Sequence, residues 1–270
     1  MKNKKHSQNN KNNHSNAKPN NKGNALWLYG LHPVVSAIQN EDRKIFEIVV
    51  AEDTFSELDF KLQKTITDSN IDLKIFDKKD LNKVAVNYCQ ADAIHQGILA
   101  RVKPLDTLAV EDILGKDKSI VVILDQITDP HNIGAIMRSA CLFGADAVIA
   151  TDKNSPNETG ILAKSASGAL DRIPYIKVNN LKRCIDLLKD DGYWSVGFDG
   201  DSQTDLNDYK VSAKTVIIMG SEGSGMRRLT KESCDDIVYI NTPKMDEVID
   251  SLNVSNAAAI ALFSISQKIK

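Results

Sequence analysis

Three glycines and one acid stand together near the end of the chain, in Gly220-Ser-Glu-Gly-Ser-Gly225. The apolar residues before them, 216–219, are typical of a buried strand, and the residues after them begin a helical pattern. Glycines between a strand and a helix let the backbone turn tightly and let another group approach it closely. The sequence therefore predicts a ligand-binding loop that contains Gly220, Glu222 and Gly223, with a glycine-rich turn that binds nothing as the alternative.

The spacing of these glycines excludes two common nucleotide sites. Gly220 and Gly225 match the first part of a phosphate-binding P-loop, but Met226 and Arg227 stand where that loop needs Lys and Ser or Thr. A dinucleotide fingerprint fails as well, since the glycines fall as G-x-x-G-x-G and lie late in the chain. We therefore expect a ligand other than ATP or NAD in their usual modes.

A second candidate loop begins at Asp129. This residue is suited to cap a helix whose first turn holds Pro130. Asn132 and Arg138 lie off the apolar stripe of that helix, and six residues place them roughly 120° apart around its axis. Taken alone, Arg138 is typical of a solvated helix arginine. A role in chemistry is the alternative.

A third polar group follows the apolar residue Ile240. Ser251, Asn253 and Ser255 lead there into an alanine-rich helix, which can pack closely against its neighbours. All three loops fall in a region where six apolar strands alternate with amphipathic helices, a pattern that predicts a mainly parallel α/β sheet covered on both faces. The strands are predicted at 120–125, 146–151, 174–178, 193–198, 215–219 and 237–240. In such sheets ligands collect at the carboxyl ends of the strands.

The rest of the chain divides into a tail, a small α/β unit and a connection. Residues 1–24 hold six Lys, nine Asn and no acid, which predicts a disordered segment, either an arm for nucleic acid or a solubilising tail. In 25–103 we predict a turn and helix over 28–38, strands at 45–51, 71–76 and 97–102, and helices at 55–67 and 79–86. Residues 104–118 read as the linker to the domain at 119–270.

Composition excludes several classes of protein. The 270 residues include 42% hydrophobic and 26% charged, as in ordinary globular proteins, and neither a membrane span nor a secretory signal is apparent. Four dispersed cysteines predict reduced thiols in a cytoplasmic protein and no metal site. Because the tail holds six of the 34 basic residues and none of the 36 acids, the body is acidic. An RNA-binding role must therefore depend on local surfaces.

The motifs together resemble those of the SpoU (TrmH-type) RNA 2′-O-ribose methyltransferases. The similarity lies in D-P-x-N-x-G-x-x-x-R-S-A at 129–140, M-G-x-E-G-x-G-M at 219–226 and S-L-N-V-S-x-A at 251–257, in the same order and spacing. The segments L-Y-G-x-H-P-V at 28–34 and H-Q-G-I at 95–98 are similar to the substrate-binding domain of the branch that acts on ribosomal RNA guanosine. The resemblance covers the whole of the second domain.

This resemblance implies a catalytic domain with a deep trefoil knot, S-adenosylmethionine as methyl donor without a metal, ribosomal RNA as substrate and a homodimer. The implied active-site residues are Asn132, Arg138, Glu222, Ser251 and Asn253. The implied cofactor-binding residues are Gly220, Gly223, Ile240, Leu252 and Val254. One departure is that Asn241 replaces the proline that commonly follows Ile240, in a longer loop that runs to Leu252.

The residue types suit methyl transfer to a ribose hydroxyl. Arginine has a pKa above 12 and cannot act as an ordinary base, so Arg138 is expected to hold a phosphate oxygen or the developing alkoxide. Glu222 is expected to orient Asn132 or Arg138. Three alternatives are the same reaction on tRNA, an RNA-binding protein without activity, and another enzyme on an open doubly wound sheet. The failed nucleotide motifs disfavour the last of these.

Overall fold

The computed structural model describes residues 25–89, 93–242 and 251–269. The predicted basic tail 1–24 lies outside these residues, as does most of the longer loop between Ile240 and Leu252. The described part forms two α/β units, each with its own sheet.

The first unit is a four-stranded sheet in the order β1-β4-β2-β3, with β4 antiparallel to both of its neighbours. The strands are β1 (Leu26–Tyr29), β2 (Ile45–Ala51), β3 (Asp72–Phe76) and β4 (Ile98–Val102). The helices are α1 (Leu31–Gln39), α2 (Glu52–Glu57), α3 (Phe60–Asp68) and α4 (Lys78–Ala85).

Two expectations for the first unit are wrong. Residues 28 and 29, read as part of a turn, belong to β1, which gains its hydrogen bonds from β4 some seventy residues later. The single helix expected over 55–67 is two helices, because Asp59 accepts a hydrogen bond from the Leu62 amide and so caps a new helix. The extended backbone at Leu58 and Asp59 also buries the Leu58 side chain.

The second unit has a six-stranded, fully parallel sheet in the order β10-β8-β9-β5-β6-β7, as the alternating pattern predicted. Its strands are β5 (Ser119–Asp125), β6 (Ala147–Thr151), β7 (Tyr175–Val178), β8 (Trp194–Phe198), β9 (Lys214–Gly220) and β10 (Asp236–Val238). Its helices are α5 (Pro130–Leu142), α6 (Gly160–Ala166), α7 (Leu181–Asp190), α8 (Arg228–Glu232) and α9 (Val254–Lys268).

The two central strands of this sheet are apolar because both of their faces are covered. All seven residues of β5 are buried, and β9 pairs with β5 in register along its whole length. One face packs in a core that includes residues of α5, α6 and α9, and the other packs in a core with α7. The expected linker joins this second core through a short helical turn, since Val110 and Ile113 are both buried there.

Helices α5 and α6 approach at backbone distance through Gly134. A Cβ atom at this position would lie 2.5 Å from the Ser165 Cβ, 2.7 Å from the Leu162 carbonyl oxygen and 2.8 Å from the Ala166 amide nitrogen. Only glycine allows this approach, so the position of α5 depends on the absence of a side chain there.

We expect Gly134→Ala to destabilise the protein by about 1–3 kcal/mol, because two of the atoms that meet the new methyl group are backbone atoms. The sign of this stability change is informative, since replacing glycine by alanine within a helix ordinarily stabilises a protein by about 0.5–1 kcal/mol. Urea denaturation measures the difference, and Gly200→Ala, where a Cβ meets nothing within 4 Å, is the control. Equal or higher stability of Gly134→Ala would contradict the close packing.

Candidate active site

The candidate site lies where β5 and β9 end side by side. Asp125 and Gly220, the last residues of these strands, are direct partners in the parallel register. The chain after Asp125 leads into α5, which carries Asn132 in its first turn, and the chain after Gly220 forms the glycine loop. Two of the three predicted loops therefore meet at one edge of the sheet, as parallel topology requires.

Glu222 joins all three loops through one carboxylate oxygen. Its Oε1 accepts hydrogen bonds from Asn253 Nδ2 at 2.6 Å, from the Val254 amide at 3.2 Å and from Asn132 Nδ2 at 3.3 Å. The two asparagines also contact each other, since Asn253 Nδ2 lies 3.1 Å from Asn132 Oδ1. A carboxylate at the amino end of α9 is further stabilised by the helix dipole. The structure thus brings Asn132, Glu222, Asn253 and Val254 together.

The orientation of Asn253 is set by its second role as the N-cap of α9. Its Oδ1 accepts hydrogen bonds from the Ser255 amide at 2.9 Å and from the Ser255 hydroxyl at 2.5 Å. With the oxygen turned to the helix, the amide nitrogen faces Glu222 and Asn132. Helix capping therefore orients this side chain toward the site.

The glycine loop folds back on its own beginning. Ser221 and Gly225 exchange backbone hydrogen bonds of 2.9 and 3.1 Å, and Gly223 and Gly225 have positive φ angles of 80° and 63°. A Cβ on Gly220 would lie 2.3 Å from the Gly225 carbonyl carbon and the Met226 nitrogen. The close approach expected at Gly220 is therefore made by the loop itself, which holds Glu222 on a tight turn.

An ion pair between a buried aspartate and an exposed arginine, which the sequence did not reveal, fixes the end of this loop. Asp125 is fully buried and accepts hydrogen bonds from the Arg227 amide at 2.8 Å and from Arg227 Nε at 2.7 Å. The pair connects the end of β5 to the residue before α8. The only sequence sign of it is an acid at the end of an apolar strand, which does not by itself identify a partner 102 residues away.

Arg138 lies apart from this cluster. It lies about 1.7 turns along α5 from Asn132, about 9 Å in the axial direction, and its side chain is exposed. It makes no hydrogen bond or ion pair with the described part of the chain, and Glu222 contacts Asn132 instead. The guanidinium is thus available to a ligand or to another chain.

The other expected site residues lie on the chain that enters and leaves the loop after β10. Ile240 is partly buried against the larger core, Leu252 is 37% exposed, and Val254 is buried. Ser251 comes directly before Leu252 and is exposed. Asn241 donates a hydrogen bond to Asp205 at 3.0 Å, whereas the expected contacts of residues 243–250 lie outside the described residues.

Two of the four cysteine thiols are strongly affected by burial. All four are free, and burial raises the pKa of the Cys184 and Cys234 thiols to about 12, so that both stay protonated at neutral pH. In residues 25–89, 93–242 and 251–269, no group of three or more His, Cys, Asp or Glu is placed to hold a metal ion. No helix in the same residues is long and apolar enough to cross a membrane.

Two family models match the chain. The SpoU rRNA methylase family matches residues 119–263, and the RNA 2′-O ribose methyltransferase substrate-binding domain matches residues 27–108. Solved structures with the same fold include the SpoU methyltransferase AviRb from Streptomyces viridochromogenes with AdoMet. It is 21% identical with a TM-score of 0.73, and the match covers 91% of this chain and 90% of that one. An AdoMet-bound rRNA methyltransferase from Sinorhizobium meliloti is 20% identical with a TM-score of 0.74, over 92% and 88% of the two chains.

Similar sequences agree with this match. The 23S rRNA (guanosine-2′-O-)-methyltransferase RlmB of Vibrio vulnificus (strain CMCP6) is 36% identical over 241 residues, which cover 88% of this chain and 94% of that protein. The protein of the same name from Escherichia coli (strain K12) is 33% identical over 240 residues, 87% of this chain and 96% of that protein. The chain therefore belongs to the SpoU rRNA methylase family.

Proposed function

We propose that this protein transfers a methyl group from S-adenosylmethionine to the ribose 2′-hydroxyl of a guanosine in 23S ribosomal RNA. The names of the similar proteins from Vibrio vulnificus and Escherichia coli support the reaction and the substrate. The observation that carries the proposal is the contact of Glu222 with Asn132 and Asn253, which joins the three family motifs in one cluster.

The residues present fit the methyl donor. When bound, S-adenosylmethionine would supply a sulfonium methyl group, which the ribose oxygen would attack in line as its proton passes to solvent and the neutral thioether leaves. The turn from Gly220 to Gly223 offers backbone groups, and partly buried Ile240 and exposed Leu252 offer apolar surface for an adenine ring. Val254 supports the start of α9 behind them. No metal is required, because positioning accounts for much of the rate of such a displacement.

Glu222 acts in this proposal by orientation and not as the base. Its Oε1 already accepts three hydrogen bonds, which hold the carboxylate in a fixed position against Asn132, Asn253 and Val254. Asn132 and Asn253 are held by it at the edge of the sheet, where Ser251 approaches along the chain. Arg138 supplies the positive charge for a phosphate oxygen or for the ribose oxygen as it loses its proton.

The knot belongs to the same proposal. The chain leaves β10, passes through residues 243–250 and returns as α9, whose first residues contact the glycine loop and α5. Membership of the SpoU family, whose motifs imply a trefoil knot, supports such a knot in the second unit, although this kind of threading is rare among proteins. Force spectroscopy tests it, since a knotted chain pulled from both ends stays shorter than an unknotted one.

We also propose that two copies associate through α5 and α9. Leu142 on α5 and Ile260 and Phe263 on α9 are 75%, 41% and 55% exposed, and Phe143 packs edge to face on Phe263 with ring centroids 5.9 Å apart. Clustered exposed apolar side chains mark interaction surfaces. This face lies on the same two helices that carry Asn132, Arg138 and Asn253.

We propose further that the reaction takes place in the cytoplasm. Cell fractionation with ribosomal markers tests this location.

We expect Gly220→Ala to weaken the binding of S-adenosylmethionine by about 10- to 100-fold, because the new methyl group displaces the backbone of Gly225 and Met226. Titration calorimetry measures the dissociation constant, with Gly200→Ala as the matched control. If the native protein binds neither the cofactor nor its demethylated product, the proposed methyl donor is wrong.

We expect Arg138→Ala to fold and bind S-adenosylmethionine but to transfer methyl groups to RNA about 100- to 1,000-fold more slowly. Arg138→Lys should rescue little, since an ammonium cannot reproduce the two-pronged contact of a guanidinium. The measurement is single-turnover transfer of a labelled methyl group to saturating 23S rRNA, with tRNA in a parallel reaction. Arg183→Ala, another exposed helix arginine, is the control. Near-normal transfer by Arg138→Ala would remove this residue from the mechanism, and preferential labelling of tRNA would support the alternative substrate.

We expect the native protein to sediment as a dimer of 29.7 kDa chains at micromolar concentration. Phe263→Asp should raise the dissociation constant by about 30-fold or more, because a charge replaces an apolar side chain at the proposed interface. Phe60→Asp, at a residue that is 79% exposed in the first unit, should leave association unchanged. A native protein that sediments as a monomer would contradict the interface.

A further inference from the structure

The two units are joined by direct packing as well as by the connection between them. On the second unit, residues 158–172 contact the first unit, and they include α6 and a short helical turn at Ala169–Asp171. The contacts on the first unit come from β1, α1 and the loops at residues 40–43 and 95–97. We call residues 158–172 the docking segment.

Arg43 is the centre of these contacts. Its side chain has no exposed surface, although it belongs to the first unit and its acidic partners belong to the docking segment. Arg43 Nε donates to Asp171 Oδ1 at 2.7 Å, and Nη1 donates to Glu158 Oε1 at 2.5 Å and to the Lys103 carbonyl oxygen at 3.0 Å. Buried ion pairs contribute little net stability, but a guanidinium held by acceptors in fixed directions strongly constrains orientation.

Two glycines of the docking segment meet the first unit at backbone distance. A Cβ on Gly160 would lie 2.5 Å from the Trp27 carbonyl oxygen, and one on Gly168 would lie 3.0 Å from the Ser36 Cβ. Ser36 also donates to the Gly168 carbonyl oxygen at 2.8 Å and accepts from Arg172 Nε at 3.0 Å. Contacts this close leave no room for the units to slide without separating.

A third contact uses the segments that are similar to the substrate-binding domain. Lys164 Nζ donates to Gln96 Oε1 at 2.6 Å, and a Cβ on Gly30 would lie 2.4 Å from the same Nζ. Gln96 itself has a positive φ of 52°, so the loop is shaped to present this side chain. These segments therefore face the second unit.

The docking segment also supports the candidate active site. Its helix α6 packs against α5 through Gly134, and Ser165 Oγ lies 3.0 Å from Nδ1 of His131, the residue next to Asn132. One face of α6 thus contacts the first unit and another contacts the helix that positions Asn132. Helix α6 therefore supports both the orientation of the first unit and the position of the candidate site.

We propose that Arg43 is a positioning residue for RNA: it keeps the first unit docked so that RNA held there meets Asn132 and Glu222 in register. This inference rests on the proposed function. When docking is weakened, only a fraction of molecules is competent to bind RNA across both units, and the apparent affinity falls by that fraction. RNA that does bind selects the docked state, so the rate at saturation changes little.

The test compares Arg43→Met with Arg101→Met, an arginine of the first unit whose ion pair is with Glu47 of the same unit. Arg43→Met should raise the KM for 23S rRNA about tenfold, with kcat within threefold and the dissociation constant of S-adenosylmethionine within twofold of the native values. Arg101→Met should not combine a raised KM for 23S rRNA with a retained kcat. An unchanged KM in folded Arg43→Met, or a parallel loss of kcat and cofactor binding, would overturn the proposal.

Small-angle X-ray scattering gives a second readout that does not depend on activity. The radius of gyration should increase for Arg43→Met and stay native for Arg101→Met, even if the protein proves inactive on ribosomal RNA. If Arg43→Met does not fold by circular dichroism, Lys164→Met takes its place, because Lys164 is partly exposed and its loss is milder. It should raise the KM about threefold with kcat retained, and an unchanged KM and radius would overturn the proposal.

Discussion

One oxygen of Glu222 carries the constraint on which the site depends, because it accepts hydrogen bonds from two other loops at once. That arrangement requires the glycine loop to hold Glu222 in one place. The loop is fixed at its start by the close approach of Gly220 to Gly225 and after its end by the ion pair of buried Asp125 with Arg227. In a flexible loop, hydrogen bonds to water would replace these contacts, because a solvent-exposed carboxylate gains little net free energy by exchanging water for an amide donor.

The parallel sheet explains why these loops meet. β5 and β9 are neighbours in register, so their carboxyl ends present Asp125 and Gly220 side by side, and α9 returns to the same edge with its amino end toward the carboxylate. Close packing at glycines also fixes the layers outside the sheet. Helix α5 packs against α6 at Gly134, and the first unit packs against the docking segment at Gly160 and Gly168. Positions without side chains thus set the distances between successive layers, from the sheet to the surface proposed to hold RNA.

Local patterns predicted much of this structure. The apolar runs indicated all six strands of the second sheet, Asp129 and Pro130 indicated the start of α5, and the glycines after residue 219 indicated a tight turn at the end of a strand. Contacts between distant residues were not predictable in this way. β1 depends on pairing with β4, and the pairs of Asp125 with Arg227 and of Arg43 with Asp171 join residues more than a hundred positions apart. The break at Asp59 was missed because an amphipathic pattern continues across it, while a single capping side chain ends one helix and begins the next.

The cluster around Glu222 is proposed to serve ribose methylation of 23S ribosomal RNA. Mapping 2′-O-methyl groups in RNA from cells that lack the protein tests it most directly. We expect one guanosine of 23S rRNA to lose its methyl group in these cells, and we expect the native protein, but not Glu222→Ala at equal abundance, to restore it. Unchanged methylation of 23S rRNA in cells without the protein, or full restoration by Glu222→Ala, would show that the cluster does not serve this reaction.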